Sequence, residues 1–269
     1  MVNLQRTLQL DGCTLRYADS GGDGVPVVLL HGAGADHTMY AAQNDALVAA
    51  GFRTVLLDLR GHGSSRPNTV ASNAELLTAD VEALVSHLGL RRPALVGHSL
   101  GGNLAQRLVR RAPDRYSALA VLDSTWNTGP LTAGERLALK SAAPLLRLIP
   151  ARALPRLMAD ASAVTAPARA ALTRTFSTMP KPEFLSVWRA TAQFVTPDPA
   201  YRTPVPLLLL RGADDRTGNI ATAMPRWAAA EGTTETVIPA AGHVVTLDAP
   251  APVTRSLLAF LRSTPILPG

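Results

Sequence analysis

Six stretches of the chain are apolar almost without interruption: PVVLLHG (26–32), RTVLLDLRG (53–61), PALVGHS (93–99), ALAVLDS (118–124), VPLLLLRG (205–212) and the shorter TETVIPA (234–240). A continuous apolar run bounded by glycine or small polar residues predicts a strand covered on both faces, the usual state in a parallel sheet. Two more runs, TLQL and TLRYAD, flank Asp11-Gly12, a hairpin turn signal. Between the runs the period changes. In 72–88, Leu77, Val81, Leu84 and Leu88 fall on one helical face, and the stretch 100–111 reads as a helix stopped by Pro113. In 249–262, Val253, Leu257 and Leu261 form a further stripe. Strands alternating with helices predict an α/β fold: a mostly parallel, doubly wound sheet of about eight strands, with the opening hairpin antiparallel at one edge.

One region breaks this alternation. Residues 125–203 contain no strand-like run and read as four helices, 132–148, 151–160, 166–178 and 181–194, punctuated by Pro150, Pro155, Pro167, Pro180 and Pro182. The expected organisation is therefore a core made of 1–124 and 204–269, with 125–203 inserted as a helical cap. The cap's apolar faces need the sheet edge to cover them, so it is not expected to fold alone. No internal repeat is evident at solenoid or propeller periods.

Composition narrows the classes. With 47% hydrophobic and 17% charged residues the chain is globular rather than disordered. Its net charge of +6 comes from arginine; only Lys140 and Lys181 are lysine. The arginines are scattered, with no run longer than the pairs at 91–92 and 110–111, whereas a nucleic-acid surface gathers them on one stripe. No nucleic-acid partner is expected. Cys13 is the sole cysteine, which rules out an internal disulfide. No signal peptide and no run of about 18 apolar residues occurs, so a cytoplasmic protein that does not engage a membrane is expected. No Cys/His spacing suggests a metal and no G-x-G-x-x-G follows a strand, so neither metal nor cofactor is expected. The oligomeric state cannot be read from the sequence.

The chemistry centres on Gly97-His98-Ser99-Leu100-Gly101. A G-x-S-x-G pentapeptide arises by chance in roughly one chain of this length in ten. Its context adds weight, because it lies between a buried strand and a helix, where a strained turn exposes the serine at the helix N-terminus. Flanking residues there must lack side chains, which accounts for the glycines. A serine hydroxyl needs a base. Of the six histidines, His243 in AAGHVV follows the last strand beside a glycine and is the strong candidate. His87 reads as a surface residue, and His98 should point away from the serine. The imidazole needs an acid, for which Asp214, Asp215 and Asp123 are all available after strands. An oxyanion needs two donors: the amide of Leu100, following the serine, and that of Ala33 in LLHGAGAD.

Four motifs in order, HGAG (31–34), DLRGHGSS (58–65), GHSLGG (97–102) and RGADD…AGH (211–243), make the chain resemble the α/β-hydrolase superfamily, in the serine-nucleophile branch with a helical lid after the sixth strand. The resemblance runs from about residue 10 to 262. It implies an α/β-hydrolase fold and puts the acid on Asp215, through the G-x-x-D pattern at Gly212 and Asp215, ahead of Asp214 and Asp123. It implies a structural role for Asp58, Arg60 and His62. A serine at 99 argues against epoxide hydrolase and haloalkane dehalogenase chemistry, which needs a carboxylate nucleophile, and the H-G-G-G oxyanion loop of another esterase branch is absent.

The expectation is a cofactor-independent serine hydrolase acting through a Ser99 acyl-enzyme on a small-molecule acyl substrate: a small or mid-sized apolar ester, thioester or lactone. The expected pocket residues are His31, Gly32, Trp126, Phe176, Trp188 and Val244. Two alternatives stand beside it. The same scaffold performs C–C bond hydrolysis, acyl transfer, cyclisation or lyase chemistry, or it serves as a non-catalytic ligand receptor.

Overall fold

In a computed structural model describing residues 2–264, the apolar runs form one eight-stranded sheet. Its strands are β1 (Arg6–Leu10), β2 (Cys13–Asp19), β3 (Pro26–Leu30), β4 (Arg53–Asp58), β5 (Ala94–His98), β6 (Ala118–Leu122), β7 (Leu207–Gly212) and β8 (Thr236–Ile238), in spatial order β1-β2-β4-β3-β5-β6-β7-β8. The hairpin β1–β2 joins β4 antiparallel, and every other pairing is parallel.

Strand alternation divides the core into two layers. Val28, Leu30, Val55, Leu57, Leu95, Leu119 and Val121 pack against α2 (Ala74–His87), α3 (Leu100–Arg111) and α8 (Ile220–Glu231). Val27, Leu29, Leu56, Val96, Ala118 and Leu122 face α1 (Ala41–Ala49) and α10 (Pro250–Ser263). After β3 the chain turns one way to β4, then crosses to β5 on the other side of β3, pairing Leu30 with Gly97. Strand order reverses there, and the crevice beyond such a reversal is where α/β sheets hold ligands.

Four helices, α4 (Ala133–Leu148), α5 (Leu154–Ser162), α6 (Ala166–Ser177) and α7 (Lys181–Gln193), occupy the stretch between β6 and β7. α4 starts with a capping box: the Thr132 side chain accepts from the Glu135 amide at 3.2 Å, and the Glu135 carboxylate accepts from the Thr132 amide at 2.6 Å. α4 packs on α7 and α5 on α6; α7 reaches α2, and α6 reaches α9 (Val245–Asp248). Their apolar side chains share the sheet's own layers. Val187, Ala190 and Phe194 join one, and Ala159, Ala168, Leu172 and Phe176 the other.

Three details differ from the sequence pattern. α5 starts at Leu154 rather than 151, because the Ala153 and Leu154 amides first close a turn onto the Pro150 carbonyl. β8 keeps three residues, as it pairs with β7 alone at the sheet's edge. α1 and α8 are helices that the periodicity did not single out. α1 buries Gln43 and Asn44, whose amides bond to Pro250, Thr254 and Thr54 instead of presenting an apolar stripe, and α8 carries Pro225 within it. No helix among the described residues is long and apolar enough to cross a membrane.

Candidate active site

Ser99 occupies the turn from β5 into α3 with φ 51° and ψ −116°, a left-handed backbone that costs a non-glycine residue strain. Its surroundings hold it there. Its amide donates to the Leu122 carbonyl at 3.0 Å, and its carbonyl accepts from the Asn103 amide at 2.9 Å and the Ser124 hydroxyl at 2.8 Å. The glycines are steric requirements. A Cβ on Gly97 would strike the Gly101 carbonyl, and one on Gly101 the Leu30 carbonyl at the end of β3. At Gly102 a Cβ would come within 2.6 Å of Ser124, so this glycine makes room for the residue behind the serine.

β7 and β8 deliver the other two groups. His243 is 7% exposed, with Nε2 3.0 Å from Ser99 Oγ and Nδ1 3.0 Å from Asp215 Oδ2. A carboxylate can only accept, so Nδ1 carries the proton and Nε2 is left free to accept from the serine hydroxyl. Asp215 also accepts from the Thr217 amide at 2.8 Å. Burial works to raise its carboxyl, but the contacts with His243 and Thr217 outweigh this and hold it below the usual carboxylate range. Of the three candidate acids, Asp214 is exposed at the cavity wall and Asp123 is fully buried, with Oδ1 bonded to the Gly212 amide; only Asp215 bonds to His243.

The amide of Leu100 opens α3 and has no helical carbonyl to meet, like any first-turn amide. Ala33 sits between β3 and a turn closed by the Ala35 amide on the Gly32 carbonyl at 3.2 Å, and it lines the same cavity as Ser99.

Two chambers meet at the serine. One, of about 610 Å³, is lined by Gly32, Ala33, Ser99, Phe176, Trp188, Thr217, His243 and Val244 among others, with Arg169, Arg216, Asp160 and Asp214 also on its wall. The other, of about 440 Å³, lies under α4 and is lined by Leu131, Ala138, Leu139, Ala142 and Ile220, sharing Ser99, Trp188 and Thr217 with the first. A further cavity of about 560 Å³, against the outer face of α3, is remote from the serine; its Arg107, Arg110 and Arg111 are paired with Glu75 and Asp198.

Two expected pocket residues lie elsewhere. His31 is fully buried: its Nε2 accepts from the Leu59 amide at 2.9 Å, which leaves Nδ1–H to donate to the Gly32 carbonyl at 2.8 Å. With both nitrogens engaged it shapes the loops after β3 and β4 and is not a pocket residue. Trp126 stacks on Trp227, with centroids 6.1 Å apart and planes 3° from parallel, and belongs to the α3-side core. The DLRGHGSS loop is tied internally. Asp58 accepts from the His37 amide and ring and from the Ser64 amide, and Arg60 makes a buried bidentate pair with Asp80 at 2.7 and 2.8 Å.

Two further residues position the site: His98, read from the sequence only as pointing away from the serine, and Asp248, which sequence reasoning passed over. His98 lies alongside His243, centroids 4.8 Å apart, and its Nε2–H donates to the His243 carbonyl at 2.7 Å. Burial, reinforced by the nearby His243, brings it down to about 3, so it is neutral. Asp248 accepts from the amides of Gly242, Val164 and Thr165 and from the Thr165 hydroxyl, at 2.8–2.9 Å. Nothing in the local sequence marks either role, since both arise from contacts made across the fold.

A doubly wound parallel sheet carrying a serine, an imidazole and a carboxylate in a hydrogen-bonded row at its reversal point defines an α/β-hydrolase type of protein. The chain belongs to the alpha/beta hydrolase family, whose model matches residues 27–255. It is 36% identical over 117 residues to a dihydrolipoyllysine-residue acetyltransferase component of an acetoin cleaving system from Pseudomonas putida, covering 43% of this chain and 31% of that protein. It is 37% identical over 115 residues to a non-heme chloroperoxidase of Streptomyces lividans, covering 42% of each. These first curated relatives are thus matched over well under half their length. A longer match, 29% over 255 residues, reaches a Caulobacter protein named as a carbamate hydrolase, with 91% of this chain and 93% of that one covered. Among solved structures, a thermophilic esterase from Thermogutta terrifontis superposes with a TM-score of 0.74 at 26% identity, over 93% of both chains. The enol-lactonase of Burkholderia xenovorans LB400 shares the fold, with a TM-score of 0.80 at 24% identity over 96% of this chain and all of the other.

Proposed function

We propose that the protein is a serine hydrolase that cleaves small or mid-sized apolar acyl compounds, and that Ser99, His243 and Asp215 are its catalytic triad. The observation carrying this reading is the imidazole of His243 held between Ser99 and Asp215 at 3.0 Å on each side. In the proposed reaction Nε2 takes the serine proton as Oγ attacks the acyl carbon. The amides of Leu100 and Ala33 donate to the oxyanion, and Asp215 keeps the tautomer and steadies the imidazolium. The leaving group departs with the proton from Nε2, and water then releases the acyl group by the same steps in reverse order. Nucleophile, base and oxyanion donors all come from the chain itself.

The chambers support an assignment of the substrate's two halves. His243 must reach the leaving group, and it lines the chamber that also carries Arg169, Arg216, Asp160 and Asp214. That chamber takes the leaving group. The chamber under α4, mainly apolar although Asn103, Glu135 and Asn219 also line it, takes the acyl chain. Residues 125–203 act as a cap closing both, and in this reading Phe176, Trp188, Gly32 and Val244 contact substrate. A fluorophosphonate probe should label the wild type and leave Ser99→Ala unlabelled; an unlabelled wild type refutes the proposal.

A second reading keeps the acyl-enzyme but resolves it with a nucleophile other than water. It is favoured by the space beside His243 and by relatives named as a chloroperoxidase and as an acetyltransferase component. Product analysis with added hydrogen peroxide or alcohols separates the two readings.

A further inference from the structure

Asp123 is a buried acid that the proposed reaction leaves unused. It follows β6 in a left-handed turn (φ 44°) and has no exposed surface. Its amide donates to the Leu210 carbonyl at 2.9 Å, and its Oδ1 accepts from the Gly212 amide at 2.7 Å. Oδ2 is sealed from solvent and meets no donor. The Asp123 carboxyl neighbours Asp215: one oxygen of each carboxyl and one nitrogen of His243 lie within 4.8 Å of one another. Two ionised carboxylates this close, with water excluded, are strongly unfavourable, so the pair keeps one proton.

The surroundings decide which carboxyl holds it. Asp215 has His243 and the Thr217 amide, both of which favour its anion. Asp123 has one amide donor and otherwise burial, and burial together with the charge of Asp215 pushes its carboxyl well above the usual range. Two further titratable groups lie near Asp123. Arg211 on β7 opposes the rise without reversing it, and Tyr40 is itself buried with its hydroxyl donating to the Leu30 carbonyl at 3.1 Å.

We propose that Asp123 is a positioning residue that holds a proton on Oδ2 and donates it in a hydrogen bond to the Asp215 carboxylate. That proton gives the orphaned Oδ2 a partner. It fixes Asp215 from the side opposite His243, and it draws part of the Asp215 charge away from the imidazole. A site with an unassisted carboxylate would grip the imidazolium more tightly and release its proton to the leaving group less readily. Asp123 acts through Asp215 and touches no reacting atom, so the inference rests on the triad reading.

Asparagine at 123 preserves every contact in this scheme, with its carbonyl accepting from Gly212 and its amide donating to Asp215. Asp123→Asn is therefore expected to keep kcat/KM within a few-fold and to leave the acid limb of its pH profile in place. Asp123→Ala removes the donor to a charged acceptor. It should lower kcat/KM by roughly 10- to 100-fold and move the acid limb to higher pH, because the unassisted Asp215 holds the imidazolium more strongly. A purely structural role would instead lower thermal stability in both variants with the limb unmoved, and that result overturns the proposal. So does an asparagine variant as inactive as Asp215→Asn, which would make Asp123 an ionised partner. Infrared difference spectra of Asp123→Asn against wild type at neutral pH supply a readout independent of turnover. The wild type should show a carboxylic acid C=O band that the variant lacks, and its absence refutes the proposal even where Asp123→Ala fails to fold. Since that band does not depend on phosphonate labelling at Ser99, failure of the triad reading is distinguishable from failure of this one.

Discussion

Replacing Asp215 by asparagine keeps the side chain's shape and its bond to the Thr217 amide while removing its charge. The amide also offers a donor where His243 Nδ1 must donate, so the imidazole turns to the wrong tautomer. In the proposed triad this should lower kcat/KM on order of 10⁴-fold with little change in the melting temperature; a loss below tenfold counts against Asp215 as the orienting acid. Ser99 and His243 were readable candidates because each follows a strand end in a short, glycine-marked motif, whereas the same kind of motif left Asp214 and Asp215 open and only the family resemblance put Asp215 first. His31 and Trp126 were misjudged for one shared reason. A histidine beside the oxyanion loop and a tryptophan after β6 are near the site along the chain, but His31 spends both nitrogens on backbone groups and Trp126 stacks into the core. Proximity in sequence does not give side-chain direction. The roles of His98 and Asp248 were not legible, because each acts on backbone groups that only the assembled fold brings near.

The turn between β5 and α3 is where one methyl group tests an element. Gly101→Ala places a Cβ against the Leu30 carbonyl, on backbone that cannot swing aside as a side chain would. β3 and β5 would have to separate at the reversal point, so the variant should lose at least about 2 kcal/mol of stability, read as a lower urea midpoint; a midpoint equal to wild type would show that the elbow is looser than described. The chamber under α4 offers a gentler test. Ala142→Phe fills part of it, and the optimum acyl length on p-nitrophenyl esters should shorten while the acetate ester keeps its rate. An unchanged chain-length profile would place the acyl group in the other chamber. At this scale the central strands were the most legible elements, since a run buried on both faces admits few readings. The helices between β6 and β7 were legible through their prolines. α1 and α8 were obscured by buried amides and an internal proline, which interrupt the apolar stripe that the eye relies on.

For the whole molecule, the buried histidines couple stability to pH. His62 and His98 are fully enclosed and brought down to about 3 by burial, with His31 and His243 respectively adding to the effect. In the unfolded chain each takes a proton near pH 6.5, while the folded chain refuses it until about pH 3. The unfolded state therefore binds more protons across that window, and stability is fully present above pH 6.5 and lost as the pH falls towards 3. The contribution is on the order of a few kcal/mol per histidine. Melts between pH 8 and 4 should show the midpoint dropping from about pH 6 downward, and His62→Gln should flatten that slope; a flat profile in the wild type would mean these imidazoles reach water. The sheet's layering and reversal point were legible from periodicity because burial on both faces is a property of the whole sheet. The two chambers were legible only in part: Gly32, Phe176, Trp188 and Val244 were expected at a pocket and line the first, while the wall under α4 comes from elements far apart in sequence.

Asp248 joins two of these properties in one side chain. Its carboxylate is shared between the amide before His243 and the two residues that lead into α6. The start of α6 and the loop that carries His243 thus share one anchor, so removing the Asp248 carboxylate is expected to loosen both together.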